Sequence, residues 1–180
     1  MKLILIITAT TVVLAALIIL TFYGVFRKVR CSILSQGGEF VIYEELVGDY
    51  EQAPVIYERI YDALLNTEHI KTRRNFATFY DNPQSVDTSH LRSDVGCILD
   101  EVDDATIALL SRKYKLKTLY KGPCVVAEFP MRSSLSVMFG LKVYPAMNRF
   151  MTREKLEGGA ITEIYDVPNK RIIYRQEILK

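Results

Sequence analysis

Tryptophan is absent from these 180 residues, histidine occurs twice and cysteine three times. Each scarcity removes a class of chemistry. His69 and His90 are not spaced with cysteine or acid in the way a zinc set requires, so no metal is expected. Cys31, Cys97 and Cys124 are odd in number and form no CxxC pair, which argues against a disulfide framework and fits a reducing compartment. No G-x-S-x-G or P-loop string occurs, and the pairs Gly37-Gly38 and Gly158-Gly159 fall at segment boundaries where turn geometry accounts for them. No catalytic set and no cofactor is read from the chain. An excess of one charge is lacking too. There are 23 basic and 21 acidic residues, so opposite charges nearly cancel, and Arg27, Lys28 and Arg30 form a basic cluster behind the first apolar run. Direct nucleic-acid binding therefore lacks its electrostatic basis.

What stands out instead is an uncharged, proline-free run, Leu3–Phe26. As a helix it would span roughly 36 Å, against a hydrocarbon core of about 30 Å. It is longer than a signal-peptide core, and bulky Phe22, Tyr23, Val25 and Phe26 occupy the place of a cleavage site. The sequence thus predicts a single-pass transmembrane helix at 3–26 after a short flank at 1–2. The more basic flank follows the run, so the positive-inside rule puts the N-terminus in the lumen and the rest in the cytosol. Reversing that orientation would allow a Cys97–Cys124 disulfide. Residues 27–38 read as a basic juxtamembrane linker, within which Cys31 is a candidate for S-acylation.

From 39 to 180 the pattern repeats. Phe40–Tyr43 is a strand by its β-branched and aromatic content. Pro54 opens a helix in which Ile56, Ile60, Ala63 and Leu64 share a face. Asn75–Tyr80 and Val95–Leu99 are strands. Asp103-Asp104 can cap a connecting helix bearing Ile107, Leu110 and Tyr114, and Leu116–Tyr120 reads as a further strand. The order then returns: a strand at Cys124–Phe129, a helix capped by Ser133 or Ser134 that holds Leu135, Met138, Phe139 and Leu141 and is interrupted by Pro145, then strands at Ala160–Tyr165 and Arg171–Tyr174. Tyr-Asp-x-Pro occurs at 80–83 and at 165–168, an offset of 85 that also lays Phe40–Glu44 on Val125–Phe129. The expected fold class is α+β: a duplicated β-α-β-β antiparallel sheet, its halves about 39–100 and 115–180, with helices on one face and a groove on the other.

Phe79-Tyr-Asp-Asn-Pro83, Val95-Gly-Cys-Ile-Leu99, Phe129-Pro130, Val143-Tyr-Pro-Ala146 and Glu163-Ile-Tyr165, in this order, resemble the testis-expressed protein 264 family. That resemblance implies a GyrI-like domain, related to bacterial effector-binding domains, on an endoplasmic reticulum anchor. It implies a non-enzymatic receptor or adaptor in turnover of that organelle (reticulophagy), with autophagy modifiers or a AAA ATPase as cytosolic partners. The other implication is a small-molecule binder or slow hydrolase of the GyrI-like type. Relatives carry a ligand-binding glutamate on a central strand, and Glu163 stands where it would fall. The family's receptor has a disordered tail that binds the modifiers, whereas this sequence ends at Lys180. Tyr43-Glu-Glu-Leu46 and Tyr61-Asp-Ala-Leu64 match the aromatic-x-x-aliphatic pattern but fall in expected regular structure, so direct modifier binding is expected to be weak or absent.

Strand alternation refines the site. If Ile164 packs under the helices, Glu163 and Tyr165 face the groove. The offset of 85 then adds Thr78 and Tyr80 to the same face. A carboxylate among tyrosines suits an apolar cation. Glu163, Tyr165, Tyr80 and Thr78 are the expected ligand-binding residues.

Overall fold

A computed structural model describes residues 1–100 and 102–180, except the side chains of 3, 5, 9 and 134–136. Ser134 and Leu135, expected to cap and fill the second helix, have side chains outside this description. The elements are α1 (Lys2–Phe22), β1 (Cys31–Gln36), β2 (Phe40–Val47), α2 (Ala53–Asn66), β3 (Arg74–Phe79), β4 (Arg92–Ile98), α3 (Asp104–Leu110), β5 (Lys115–Thr118), β6 (Gly122–Pro130), α4 (Ser134–Gly140), α5 (Val143–Glu154), β7 (Gly158–Asp166) and β8 (Arg171–Ile178). The eight strands form one sheet in the order β1-β6-β8-β7-β3-β4-β2-β5, and every pairing is antiparallel. The fold is α+β, and its two halves meet along β3 and β7, where Ala77 lies opposite Glu163.

Local chemistry sets these elements. Pro54 sits in the first turn of α2, where its missing N–H costs nothing, and Ile56, Ile60 and Leu64 bury one stripe. The Asp103 carboxylate caps α3 by accepting from the Thr106 N–H at 2.8 Å. Beneath α2, Ile42, Leu46, Val95 and Cys97 form one apolar cluster. Beneath α5, Val125, Ala127, Phe129, Ile172 and Tyr174 meet Val143, Met147 and Met151.

The opposite face is not an open groove. Val41, Phe76, Ile98, Val126, Ile164 and Ile173 form a third buried cluster there. Among the described residues no helical side chain joins this cluster; the sheet bends over itself. Arg175 on β8 bonds Glu39, the residue before β2, at 2.7 and 2.9 Å. These strands are four steps apart, roughly 19 Å in a flat sheet. Only a strongly curled sheet closes that distance, and curling encloses the third cluster. Ile164 therefore packs inside the curl rather than under a helix, which reverses the facing expected for β7.

Several other expectations are corrected. The segment at 3–26 does not form the expected membrane span. α1 ends at Phe22, and Gly24, at φ +85°, turns the chain against Phe129 and Pro130. Among the described residues, no helix is long and apolar enough to cross a membrane. This overturns the anchor and the single-pass endoplasmic reticulum localisation derived from it. Most of the described apolar side chains of α1, Val12, Val13 and Ile18 among them, are exposed, while Leu20 is half-buried. Residues 31–36, read as linker, form β1, paired with β6 from Cys31↔Ala127 to Gln36↔Gly122. Pro145 does not kink a helix: the break falls at Leu141–Lys142, and Pro145 lies in the first turn of α5, where an N–H has no intrahelical partner to lose. All three cysteines are free; Cys97 and Cys124 belong to clusters on opposite faces. Tyr43–Leu46 lies within β2 and Tyr61–Leu64 within α2.

Candidate functional site

β7 is held on both sides, by β3 and β8, so its side chains project from a fixed backbone. Glu163 points toward the helices and is 6% exposed. Its Oε1 accepts from the Tyr144 hydroxyl at 2.5 Å and its Oε2 from the Tyr165 hydroxyl at 2.5 Å. Tyr144 comes from the first turn of α5, and Tyr165 from two residues further along β7. Tyr174, directly opposite Glu163 on β8, lies edge-on to Tyr144 with ring centroids 5.7 Å apart. From α2, the ring of Tyr57 approaches Tyr165 at 6.3 Å. Two helices and a strand pair thus gather four tyrosines around one carboxylate between α2 and α5, two bonding it through their hydroxyls and two packing against those.

The electrostatics follow from burial. Desolvation raises the Glu163 pKa, and the two hydroxyls offset part of that rise without reversing it. Burial also raises Tyr144, Tyr165 and Tyr174, and the neighbouring Glu163 charge adds to each. They remain phenols and donors at physiological pH. Among the described residues, no cationic side chain forms an ion pair with Glu163. The carboxylate is solvated by two hydroxyls and left without a counter-charge. A cavity of about 600 Å³ lies elsewhere, at the strand ends near Lys71, Arg73, Asp103 and Asp166, and does not include Glu163. The site is closed.

Of the expected ligand-binding residues, the structure brings Glu163 and Tyr165 together and sets Thr78 and Tyr80 apart. Residues opposed across β3 and β7 share a face and always differ by an even number (163 − 77 = 86, 162 − 78 = 84), so the odd offset of 85 is out of phase there and puts Thr78 on the face opposite Glu163. The Thr78 hydroxyl shares a hydrogen bond with Thr162 at 2.9 Å inside the curl. Tyr80 lies beyond the end of β3. Its hydroxyl donates to Asp94 at 2.6 Å, and Lys117 donates to it at 3.0 Å while pairing with Asp94. That cluster is internally satisfied. Cys31 opens β1, half-buried against the α5 cluster, and burial raises its thiol pKa against the pull of Arg153 and Arg149. The membrane-surface linker that motivated acylation is not what surrounds it.

Tyr144, Tyr174 and Tyr57 were not singled out as ligand residues from the sequence. The available signal was compositional, eleven tyrosines without a tryptophan, and Tyr144 stands inside the Val143-Tyr-Pro-Ala146 string. Which tyrosines meet the acid depends on α5 crossing β7, which no local pattern encodes.

No family model matches the sequence, and no curated protein matches it. Solved structures do match in fold. SAV2435 bound to tetraphenylphosphonium aligns at a TM-score of 0.54 and 12% identity, over 84% of this chain and 93% of that one. The EcmrR C-terminal domain aligns at 0.54 and 9% identity, over 84% and 98%. EcmrR in its complex with DNA aligns at 0.56 and 8% identity, over 83% of this chain and 57% of that one. At these identities the likeness is one of fold, shared with a ligand-binding protein and a DNA-binding protein's C-terminal domain. None of it bears on membrane anchoring or organelle turnover.

Proposed function

We propose that this chain is a non-enzymatic small-molecule-binding protein that takes a bulky apolar cation in the cleft between α2 and α5. The observation that carries this reading is Glu163: a buried carboxylate among aromatic rings, held by two hydroxyls and no cation. Burying an unpaired charge is costly, and a cationic ligand would remove that cost. Rings of Tyr57, Tyr144, Tyr165 and Tyr174 would supply apolar surface and cation–π attraction of about 0.5–2 kcal/mol each. The binding of tetraphenylphosphonium by a protein of the same fold supports the ligand class. Kinship to the testis-expressed protein 264 family, suggested by motif order, is part of the same proposal.

Calorimetric titration of the full chain with tetraphenylphosphonium tests it, with triphenylphosphine oxide as an uncharged control. Glu163→Gln should weaken cation binding at least about tenfold, or about 1.4 kcal/mol, and leave binding of the neutral control unchanged. Equal affinity of wild type and Glu163→Gln for the cation would refute the counter-charge role. Failure of the wild type to bind any member of a lipophilic-cation panel would refute the ligand class.

A further inference from the structure

The end of α1 and the closure of the Glu163 site share one short segment. Lys142 lies in the break between α4 and α5. Its ammonium donates to the carbonyl of Gly24 at 2.6 Å and to that of Val25 at 2.8 Å, just beyond the last turn of α1. It also lies 5.1 Å from the Phe129 ring centroid. Burial lowers its pKa, with the nearby Arg27 adding to the effect. A second cation holds the same end of α1: Arg132 donates to the Phe22 carbonyl at 2.9 Å, and its guanidinium stacks 4.2 Å over the Phe22 ring. Carbonyls at a helix C-terminus lack intrahelical donors and carry partial negative charge, so both contacts are favourable. Gly24 completes the dock, since a Cβ there would stand 3.1 Å from Phe129 Cζ.

Two residues after Lys142 comes Tyr144, whose hydroxyl closes Glu163. Glu163 is buried, so a ligand that reaches its carboxylate needs the room that Tyr144 or Tyr165 fills. Tyr165 sits on a strand paired on both sides. Tyr144 sits on the first turn of a helix that follows a break, so it is the donor free to leave. Withdrawing Tyr144 moves the segment that carries Lys142, and with it the contacts to Gly24 and Val25.

We propose that Lys142 is a positioning residue that couples docking of α1 to closure of the Glu163 site: with α1 docked, Tyr144 is held on the carboxylate, and releasing α1 opens the site. The inference rests on the ligand reading for its consequence but not for its geometry. By linkage, ligand binding loosens α1 by the same factor that α1 docking weakens the ligand. In the docked protein the competent state is a minority, and apparent affinity falls by that fraction.

Hydrogen exchange of the ligand-free full chain, read by mass spectrometry, tests the coupling without any ligand. Lys142→Met keeps the length of the side chain and removes the donor. Arg132→Met loosens α1 from the other side, through Phe22, and among the described residues Arg132 makes no hydrogen bond to α5. Both should speed exchange of amides in residues 143–148 by about tenfold, the scale of a lost hydrogen bond to a charged group, and leave the central strands β3 and β7 unchanged. Both should also raise affinity for tetraphenylphosphonium by a similar factor. Unchanged exchange in both variants overturns the proposal. Faster exchange in Lys142→Met alone also overturns it, because that outcome assigns Lys142 a purely local role in α5. If tetraphenylphosphonium binds neither wild type nor variants while exchange responds in both, the coupling stands and the ligand reading fails.

Discussion

Replacing Glu163 with glutamine should change how stability depends on pH, in a direction fixed by burial. In the folded protein, desolvation lifts the Glu163 pKa above its ordinary 4.5, against the partial offset of the Tyr144 and Tyr165 hydroxyls. The unfolded chain releases the proton near the ordinary value; the folded chain holds it to higher pH. Between the two values the native state binds one more proton than the unfolded state. Stability from this group therefore falls as pH rises, by up to about 1.4 kcal/mol per pH unit, and levels off above the folded pKa. Glutamine has no such titration, and its amide can accept from one tyrosine hydroxyl and donate to the other. Subtracting the wild-type curve of unfolding free energy against pH from that of Glu163→Gln cancels every group the two proteins share. The difference should rise from pH 4.5 upward with the slope of one proton and then plateau. Urea denaturation at half-unit steps from pH 4.5 to 9 measures it. A difference that stays flat would mean that Glu163 titrates alike in both states, and the buried, unpaired carboxylate would be wrong. The same substitution should weaken cation binding at least about tenfold, so the site would trade stability for function.

Other outcomes follow from the same contacts. Tyr144→Phe removes one of the two donors that favour the charged carboxylate, so the pH at which cation binding sets in should move upward; calorimetry across pH 5–8 reads the midpoint. Glu39 behaves oppositely to Glu163. Burial is the largest single influence and would raise its pKa, but the bonds and charge of Arg175, with a backbone hydrogen bond and the charge of Arg74, together hold it below 4.5. Its contribution is present above 4.5 and lost as pH falls through the depressed value, so Glu39→Gln should flatten the acid limb of the stability curve and destabilise by about 3–5 kcal/mol near pH 7, because Arg175 is left buried and unpaired. At Gly96 a Cβ would stand 1.9 Å from the Ile42 carbonyl oxygen, within a strand paired on both sides. Gly96→Ala should cost about 1–3 kcal/mol in urea unfolding, or block folding.

Much of the domain was legible in the sequence because its signals are local. Alternation and β-branched content marked β2, β3, β4, β6, β7 and β8; the Ile56-Ile60-Leu64 stripe and Pro54 marked α2; Asp103 marked α3. The resemblance pointed to Glu163, and strand alternation set Tyr165 beside it, where its hydroxyl bonds the carboxylate. Local signals failed where the answer depended on what lies across space. An apolar run fixes a helix but not where it stops, and Gly24 meeting Phe129 ended α1 before the expected boundary. Cys31–Gln36 looks like linker until β6 supplies the partner strand. The repeat offset held for β2 and β6, where Ile42 and Ala127 (127 − 42 = 85) both face the helices, yet slipped by one at β3 and β7. Strand period is two, so a single inserted residue is invisible in the pattern and decisive for the face. The curl of the sheet buried Ile164 without a helix, turned Glu163 toward α5, and set Tyr144, Tyr57 and Tyr174 around it. The sequence supplied the acid and the tyrosines; only the packing of α2 and α5 over the bent sheet determined which of them meet, because burial and counter-charge are properties of the assembled space around a residue.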